Sequence, residues 1–342
     1  MVDRAARAVR ERANCARYRP GQREGFYESF FQRANHPTRP LAFWIRYTLF
    51  SPAGRPEAAE GELWAVYFDG ESGRHAVAKR EVPFAGRCAF ARDAFSVAVD
   101  DARLSPGRLA GAAGEGEEAI AWDLAYEGGG EPLLLLPGAL YDAPLPKAKA
   151  LVAAPMAVYS GVVRAFGRDV DVSGWVGSQN HNWGTKHTDL YAWGQVAGFD
   201  SHPDSFLEVA TARLKVGPFW TPSMTPLVLR HRGEEIALSS LVQAVRAEAS
   251  FDYFTWRFRT ETARLSVEGE ISARAGDFVG LAYRNPPGGV KHCLNTKIGA
   301  CTLTLRRKSP GRAAGVETLT TARRAAFEIL TDDRGHGVTL RA

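Results

Sequence analysis

The sequence predicts an antiparallel all-β protein built as barrels or sandwiches in two units, behind a short N-terminal helix. Three observations carry this. Run after run of the chain alternates apolar and polar residues with period two and is rich in aromatic and β-branched side chains. Turn clusters such as SPAGRPE (51–57), GEGEE (114–118), EGGGE (127–131) and RNPPGGVK (284–291) separate these runs. No alternation of helix and strand suggests a parallel sheet, and neither a nucleotide-binding glycine fingerprint nor a phosphate-binding loop is present.

In chain order, residues 2–16 place Val2, Ala5, Ala6, Val9 and Ala13 at helical spacing, and Pro20-Gly21 stops that helix. Strands are predicted over 41–50, 62–68, 119–127, 157–166, 190–199, 205–216, 251–260, 263–272 and 297–307. So many strands exceed one ordinary sheet. The polar, Pro-containing stretch GFDSHPDS (198–205) is the best seam. The expected organisation is a helical lead-in over 1–23, a first β unit over 24–199 and a second over 200–342. No fixed-period repeat suggests a propeller.

Of 342 residues, 45% are hydrophobic and 24% charged, the balance of a folded chain. The net charge of +5 comes from 43 basic and 38 acidic residues. The basic residues are scattered among acids, so nucleic acid is not an expected partner. Four cysteines (Cys15, Cys88, Cys293, Cys301) lack CxxC spacing and match no zinc pattern, and nothing reads as a secretory leader. These features point to a reducing cytoplasm. No apolar run approaches the length of a membrane span. The basic N-terminal helix is compatible with loose, peripheral membrane association. Oligomeric state is not legible.

Strand parity finds polar groups on apolar faces. Glu208 shares a face with Phe206, Ala210, Ala212, Leu214 and Val216. A carboxylate buried there is either paired with an arginine or has its pKa raised toward a value useful for acid–base work. Arg46 shares a face with Ala42, Trp44, Thr48 and Phe50, and Glu62 with Trp64, Val66 and Phe68. If these strands form a hairpin, Arg46 and Glu62 lie close together inside, as a structural ion pair. Gln195 lines up with Tyr191, Trp193, Ala197 and Phe199, where it could orient a ligand or satisfy backbone groups.

The densest polar cluster, GSQNHNWGTKHTDLYAW (177–193), gathers Gln179, Asn180, His181, Asn182, Trp183, Lys186, His187 and Asp189. Such groups between two strands suit a site at a barrel mouth. An extended chain puts His181 and Trp183 on one side. His181 and His187 have no metal-ligand spacing. A tight turn at Asn285–Gly289 precedes Lys291, His292, Asn295 and Lys297, which it could aim at the other unit.

ESFF (28–31), RANHPTRPLAFWIRYTLF (33–50), GELWAVYFDG (61–70), QNHNWG (179–184), YAWGQ (191–195) and NPPGGVKHCLNTKI (285–298) resemble the lipocalin-like superfamily of carotenoid 1,2-hydratases, tocopherol cyclases and AttH-type proteins. The resemblance spans roughly residues 24–342. It implies two lipocalin-like (calycin-type) β domains with a hydrophobic pocket at or between them. It also implies a catalytic His-x-Trp pair, matched by His181-Asn182-Trp183, and a later Tyr-x-Asp pair. Phe206-Leu207-Glu208 stands in the latter place, with Phe for Tyr and Glu for Asp.

The expectation is therefore a cofactor-free enzyme that binds a hydrophobic isoprenoid, polyene or polyketide. Glu208 protonates a double bond, and His181 orients the acid or a water. Trp183, Tyr191 and Trp193 stabilise the cation, which water captures in a hydratase and a group of the same substrate captures in a cyclase. Gln195, Phe206, Asn182, Arg46, Glu62 and Trp64 line the pocket. A pericyclase would need only a pocket that holds the reactive shape. The competing readings are a non-catalytic carrier with a nearly apolar pocket wall, and a surface interaction module.

Overall fold

The computed structural model describes residues 4–308 and 315–342. Among them are two large antiparallel sheets, one of 13 strands and one of 10, and a two-stranded hairpin. In the first sheet the order runs from Arg74–Pro83 through Glu60–Asp69, Leu41–Ser51 and Phe26–Asn35 to Trp175–Gly184, Ala148–Ala165 and Ile120–Gly128, and then to four shorter strands between residues 88 and 113. It curls into a near-closed barrel around Phe30, Phe43, Tyr47, Trp122, Tyr159 and Trp175. The second sheet is centred on Phe206–Arg213, Leu190–Ala197, Gly315–Thr331 and Val290–Arg307. It wraps Leu207, Val209, Trp256, Phe258, Leu294 and Phe327.

The chain passes from one sheet to the other between Gly184 and Leu190, ahead of the expected seam. Leu190–Ala197 pairs with Phe206–Arg213 and Gly315–Thr331, wholly within the second sheet. The polar stretch 198–205 is a turn inside that sheet, closed by Gly198 N donating to Ser205 O at 3.0 Å. The strand expected over 251–260 is two strands. Phe251 pairs with Trp256 and Asp252 with Thr255, around Tyr253-Phe254. Unbroken alternation concealed this turn, because Phe254 takes the left-handed φ of 80° that usually advertises itself as Gly or Asn. Among the described residues the helix is Arg4–Glu11 and ends ahead of the expected residue 16; the expected helical positions 2 and 3 lie outside the described residues. Its buried Ala6 and Val9 pack with Tyr18, Phe26, Tyr141 and Trp183, so protein covers its apolar side.

One feature of the strands decides where the polar groups go. Every residue of Leu41–Ser51 is buried. Leu41, Phe43, Ile45 and Tyr47 fill the first barrel, while Ala42 and Trp44 on the other face pack against the second sheet's Leu281, Tyr283, Cys293 and Leu330. Burying an indole such as Trp44 or Trp64 removes about 150–250 Å² from water, an upper bound of about 4–6 kcal/mol each. The two sheets thus share a third core between them, and every polar residue picked out by parity on these strands lies there. No helix among the described residues is long and apolar enough to cross a membrane.

Candidate active site between the two sheets

The centre of the site is Gln195. Its strand pairs with Phe206–Arg213 so that Gln195 lies opposite Glu208. Gln195 Nε2 donates to Glu208 Oε2 at 2.8 Å and Trp193 Nε1 to Glu208 Oε1 at 2.7 Å. The same amide donates to Asn180 Oδ1 at 2.9 Å. Its oxygen accepts from Arg33 Nε at 2.7 Å and Ser178 Oγ at 2.6 Å. Gly177 lets the strands carrying Arg33 and Ser178 approach, since a Cβ there would meet Arg33 O at 1.7 Å.

Glu208 is 3% exposed. Burial pushes its carboxyl up to about 7, against the pull of Trp193, Gln195 and the Arg33 guanidinium. The guanidinium reaches Glu208 through Gln195 and donates to Asn35 Oδ1 at 2.7 Å. Burial lowers Arg33 itself to about 10. The carboxyl is therefore held by two neutral donors and poised near neutrality.

Next to it, Lys297 Nζ donates to Glu328 Oε1 at 2.7 Å, both groups buried. The ammonium stands 5.3 Å from the Trp193 ring centre and 5.7 Å from that of Trp44. Burial lowers the Lys297 pKa, and Glu328 opposes that shift. Tyr191 donates its hydroxyl to Glu328 Oε2 at 3.3 Å. Asn35 Nδ2 donates to Lys297 O at 2.6 Å, which ties the first sheet to this pair.

The same layer also holds a narrow crevice lined by Tyr27, Arg46, Thr48, Phe50, Glu62, Trp64, His187, Tyr283 and Arg284; Glu208 is not among its walls. Arg46 donates from Nε and Nη2 to Ser29 Oγ, at 2.8 and 2.6 Å, and lies 4.5 Å over the Tyr283 ring. The expected Arg46–Glu62 ion pair is not formed. Register sets Arg46 beside Trp64, with Glu62 two residues along beside Thr48, and Arg284 of the second sheet pairs with Glu62 instead. Trp64 Nε1 donates to Glu62 Oε2 at 2.9 Å. His187 stacks on Tyr27 at 4.0 Å, and burial lowers its pKa to about 3, so it stays neutral.

Not all of the expected site residues meet. Ser178, Asn180 and Asn182 point toward the second sheet, whereas His181 and Trp183 point the other way, to the helix-covered end of the first barrel. There the two rings of His181 and Trp183 lie 4.6 Å apart. His181 bonds Ala13 O through Nδ1 at 2.7 Å and Glu28 Oε1 through Nε2 at 2.9 Å, and stacks on Phe30 at 4.0 Å. Both ring nitrogens are occupied away from Glu208, so His181 does not orient the acid. Phe206 shares Glu208's side and packs with Leu133, Leu135, Val152 and Val228 between the sheets. Tyr191, Trp193 and Gln195 share one side, as do Phe206 and Glu208, but that side is the outer face of the second sheet, not its interior. Phe199, expected beside Gln195, lies in that sheet's own core because the turn at Gly198 ends the alternation, and Val216, expected beside Glu208, is exposed in the separate hairpin.

Arg33, Ser178, Glu28 and Glu328 are the functional-looking residues that the sequence reading missed. Arg33 and Glu328 lie in period-two runs, FYESFFQRAN and AAFEIL, that the strand assignment passed over; an unbroken count of alternating positions would have exposed both.

No family model matches the chain. Two uncharacterised proteins of Mycobacterium tuberculosis, from strains CDC 1551 / Oshkosh and ATCC 25618 / H37Rv, are each 23% identical over 277 residues, covering 80% of this chain and 79% of theirs. Among solved structures, an AttH-like protein of Nitrosomonas europaea aligns over 92% of this chain and 98% of its own at a TM-score of 0.55 and 15% identity. Kievitone hydratase of Nectria haematococca aligns over 92% of this chain and 91% of its own at a TM-score of 0.53 and 10% identity. The lipocalin-like fold implied by the sequence resemblance is the fold of this chain.

Proposed function

We propose that this protein is an enzyme that hydrates or cyclises a hydrophobic unsaturated small molecule held between its two sheets, with Glu208 as the proton donor. The observation that carries the reading is the Glu208 carboxyl, buried between the sheets on two neutral donors and raised to about 7. At neutral pH such a group exists in both forms, so it can give a proton and take one back. The neutral acid adds its proton to one carbon of a double bond and leaves a cation on the other. Water, or a hydroxyl of the same substrate, then forms the new C–O bond and returns a proton to the carboxylate. The acid is regenerated and no cofactor is consumed.

The ring faces of Tyr191 and Trp193 stand beside this centre and can stabilise the cation, since the Lys297 charge is offset by Glu328. Arg46, 4% exposed and without a carboxylate partner among the ion pairs of the described residues, is suited to anchor an oxygen of the substrate at the crevice. The similarity in fold to a hydratase supports the reaction class. The carrier reading asks for a nearly apolar wall, whereas this layer presents Arg33, Arg46, Lys297, Glu208 and Glu328.

The test begins with mass spectrometry of lipid extracted from the purified protein, which supplies the substrate. Turnover in D₂O is expected to place one deuterium on the protonated carbon. Glu208→Gln is expected to retain the β circular-dichroism spectrum and form no product. Product from Glu208→Gln at the wild-type rate would overturn the assignment.

A further inference from the structure

A second group of side chains lies at the rim of the second barrel, away from the layer between the sheets. His202 sits in the 198–205 turn. His231 ends Leu227–His231. Glu317 lies near the start of Gly315–Thr331. Each can offer one ligand atom, and the three atoms lie within 4.8 Å of one another. Leu227 and Leu229 on one strand, and Leu319 on another, belong to the barrel core, so His231 and Glu317 share the inward parity at its end. Val228, beside Glu208, points the opposite way.

The surroundings are those of a ligand set. Ser205 Oγ is 2.8 Å from His231 Nδ1, and Ser201 Oγ is 3.0 Å from His202 Nδ1. Each imidazole therefore has a hydroxyl partner on Nδ1, the outer contact that fixes ring and tautomer when Nε2 binds a metal. His231 Nε2 stands 3.0 Å from Glu317 Oε2. That is about the spacing of adjacent ligand atoms bound at 2.0–2.2 Å to one ion.

A serine hydroxyl can donate or accept. His231 can thus keep its proton on Nε2, facing Glu317, or move it to Nδ1, facing Ser205, and free Nε2 for a metal. The turn is bolted to the strand that carries Glu317. Asp200 N donates to Thr320 O at 2.8 Å, Thr320 N to Ser201 Oγ at 2.9 Å and Ala322 N to Asp200 Oδ2 at 2.8 Å. His202 and Glu317 are thereby held on one frame. The ligand atoms, within 4.8 Å of one another, need to close by at most about 1.5 Å to suit a four-coordinate ion, which a half-buried side chain on a turn can supply.

We propose that His202, His231 and Glu317 form a binding site for one borderline divalent transition-metal ion of the zinc class. Two imidazoles and a carboxylate suit zinc, cobalt or nickel, and do not suit magnesium or calcium, which take oxygen ligands. Three protein ligands leave one position open to water. Arg232, whose side chain is 67% exposed, sits 2.9 Å from Glu317 Oε2 and is the cation that the metal displaces. Metal binding would clip the 198–205 turn to two strands of the barrel. The spacing of the three residues along the chain matches no sequence motif, so only folding brings them together.

The test uses the full chain after treatment with a chelator, titrated with Zn²⁺ by calorimetry and with Co²⁺ by visible absorption. One equivalent is expected, with a Co²⁺ spectrum of low coordination number and a Zn²⁺-dependent rise in melting temperature. His202→Ala, on the turn, is expected to keep the fold and to weaken Zn²⁺ binding by more than the roughly 10- to 100-fold that loss of an outer-shell partner costs. Glu317→Gln should act in the same direction. Arg232→Ala removes the competing cation and is expected to tighten binding. Absence of a stoichiometric site, or affinity unchanged in both His202→Ala and Glu317→Gln, would overturn the proposal.

Discussion

Two buried carboxylates, Glu28 and Glu208, are reached from opposite sides of the strand Trp175–Gly184, and their surroundings differ. Glu28 accepts from Arg17 N at 2.6 Å and Tyr18 N at 2.9 Å, and its Oε1 lies 2.9 Å from His181 Nε2. Both donors are peptide groups of the segment that follows the N-terminal helix. Glu208 accepts from one indole and one amide. The first carboxylate anchors chain; the second is held by side chains alone, and burial raises its pKa. A His-x-Trp motif beside a buried acid therefore does not identify the catalytic acid here. The donor set around each carboxylate separates the anchoring one from the one suited to chemistry.

Removing the first carboxylate should have the largest effect. Glu28→Ala leaves two peptide N–H groups without their acceptor and His181 Nε2 without its partner at a buried place. The expected cost is about 3–5 kcal/mol of stability, the usual range for breaking a buried pair from one side. Urea unfolding measures it, and limited proteolysis should cut within residues 4–18 first. A loss below about 1 kcal/mol would mean that the segment is held by the packing of Ala6, Val9 and Trp183 rather than by this contact.

The second carboxylate predicts a pH dependence of stability. In the unfolded chain Glu208 ionises near 4.5, and in the folded protein near 7. Between those values the folded state binds more protons than the unfolded one, so this group's contribution is present at low pH and is lost as pH rises toward 7. Wild type minus Glu208→Gln should lose at most about 1.4 kcal/mol for each pH unit across that window, and then level off. The difference removes the other titrating groups to first order. A flat difference from pH 4.5 to 8 would show that Glu208 is an ordinary ionised carboxylate, and would remove the acid from the proposed reaction.

Much of this layer was legible from strand parity. The shared side of Tyr191, Trp193 and Gln195, and that of Phe206 and Glu208, needed only the period of a strand, as did the pairing of His181 with Trp183; that the two sets face the same way comes from the strand pairing. What parity cannot supply is which face is the barrel's interior, because strands such as Leu41–Ser51 are buried on both sides and read as apolar throughout. Nor does it supply partners that arrive from elsewhere in the chain. Glu62 meets Arg284 across 222 positions, and Gln195 meets Arg33 across 162. The turn at Tyr253-Phe254 was hidden for a different reason. Aromatic residues occupy a bend whose backbone glycine would ordinarily take, and the alternation runs through it without a break.

The smallest expected effect tests the donor argument most directly. Trp193→Phe keeps an aromatic ring against Glu208 and removes one donor, the indole N–H to Oε1. That donor favours the ionised carboxylate, so its loss should move the Glu208 titration further upward. A single hydrogen bond of about 0.5–1.5 kcal/mol corresponds to a rise of about 0.4–1 pH unit. Carbon-13 NMR of labelled glutamate, with Glu208→Gln to identify the resonance, reads the midpoint without needing a substrate. The same substitution leaves Glu28 untouched, since its partners lie on the other side of the strand. An upward move at Glu208 alone ties the raised value to the number of donors facing it. A midpoint that stays in place would mean that depth of burial, and not the donor set, distinguishes the two carboxylates.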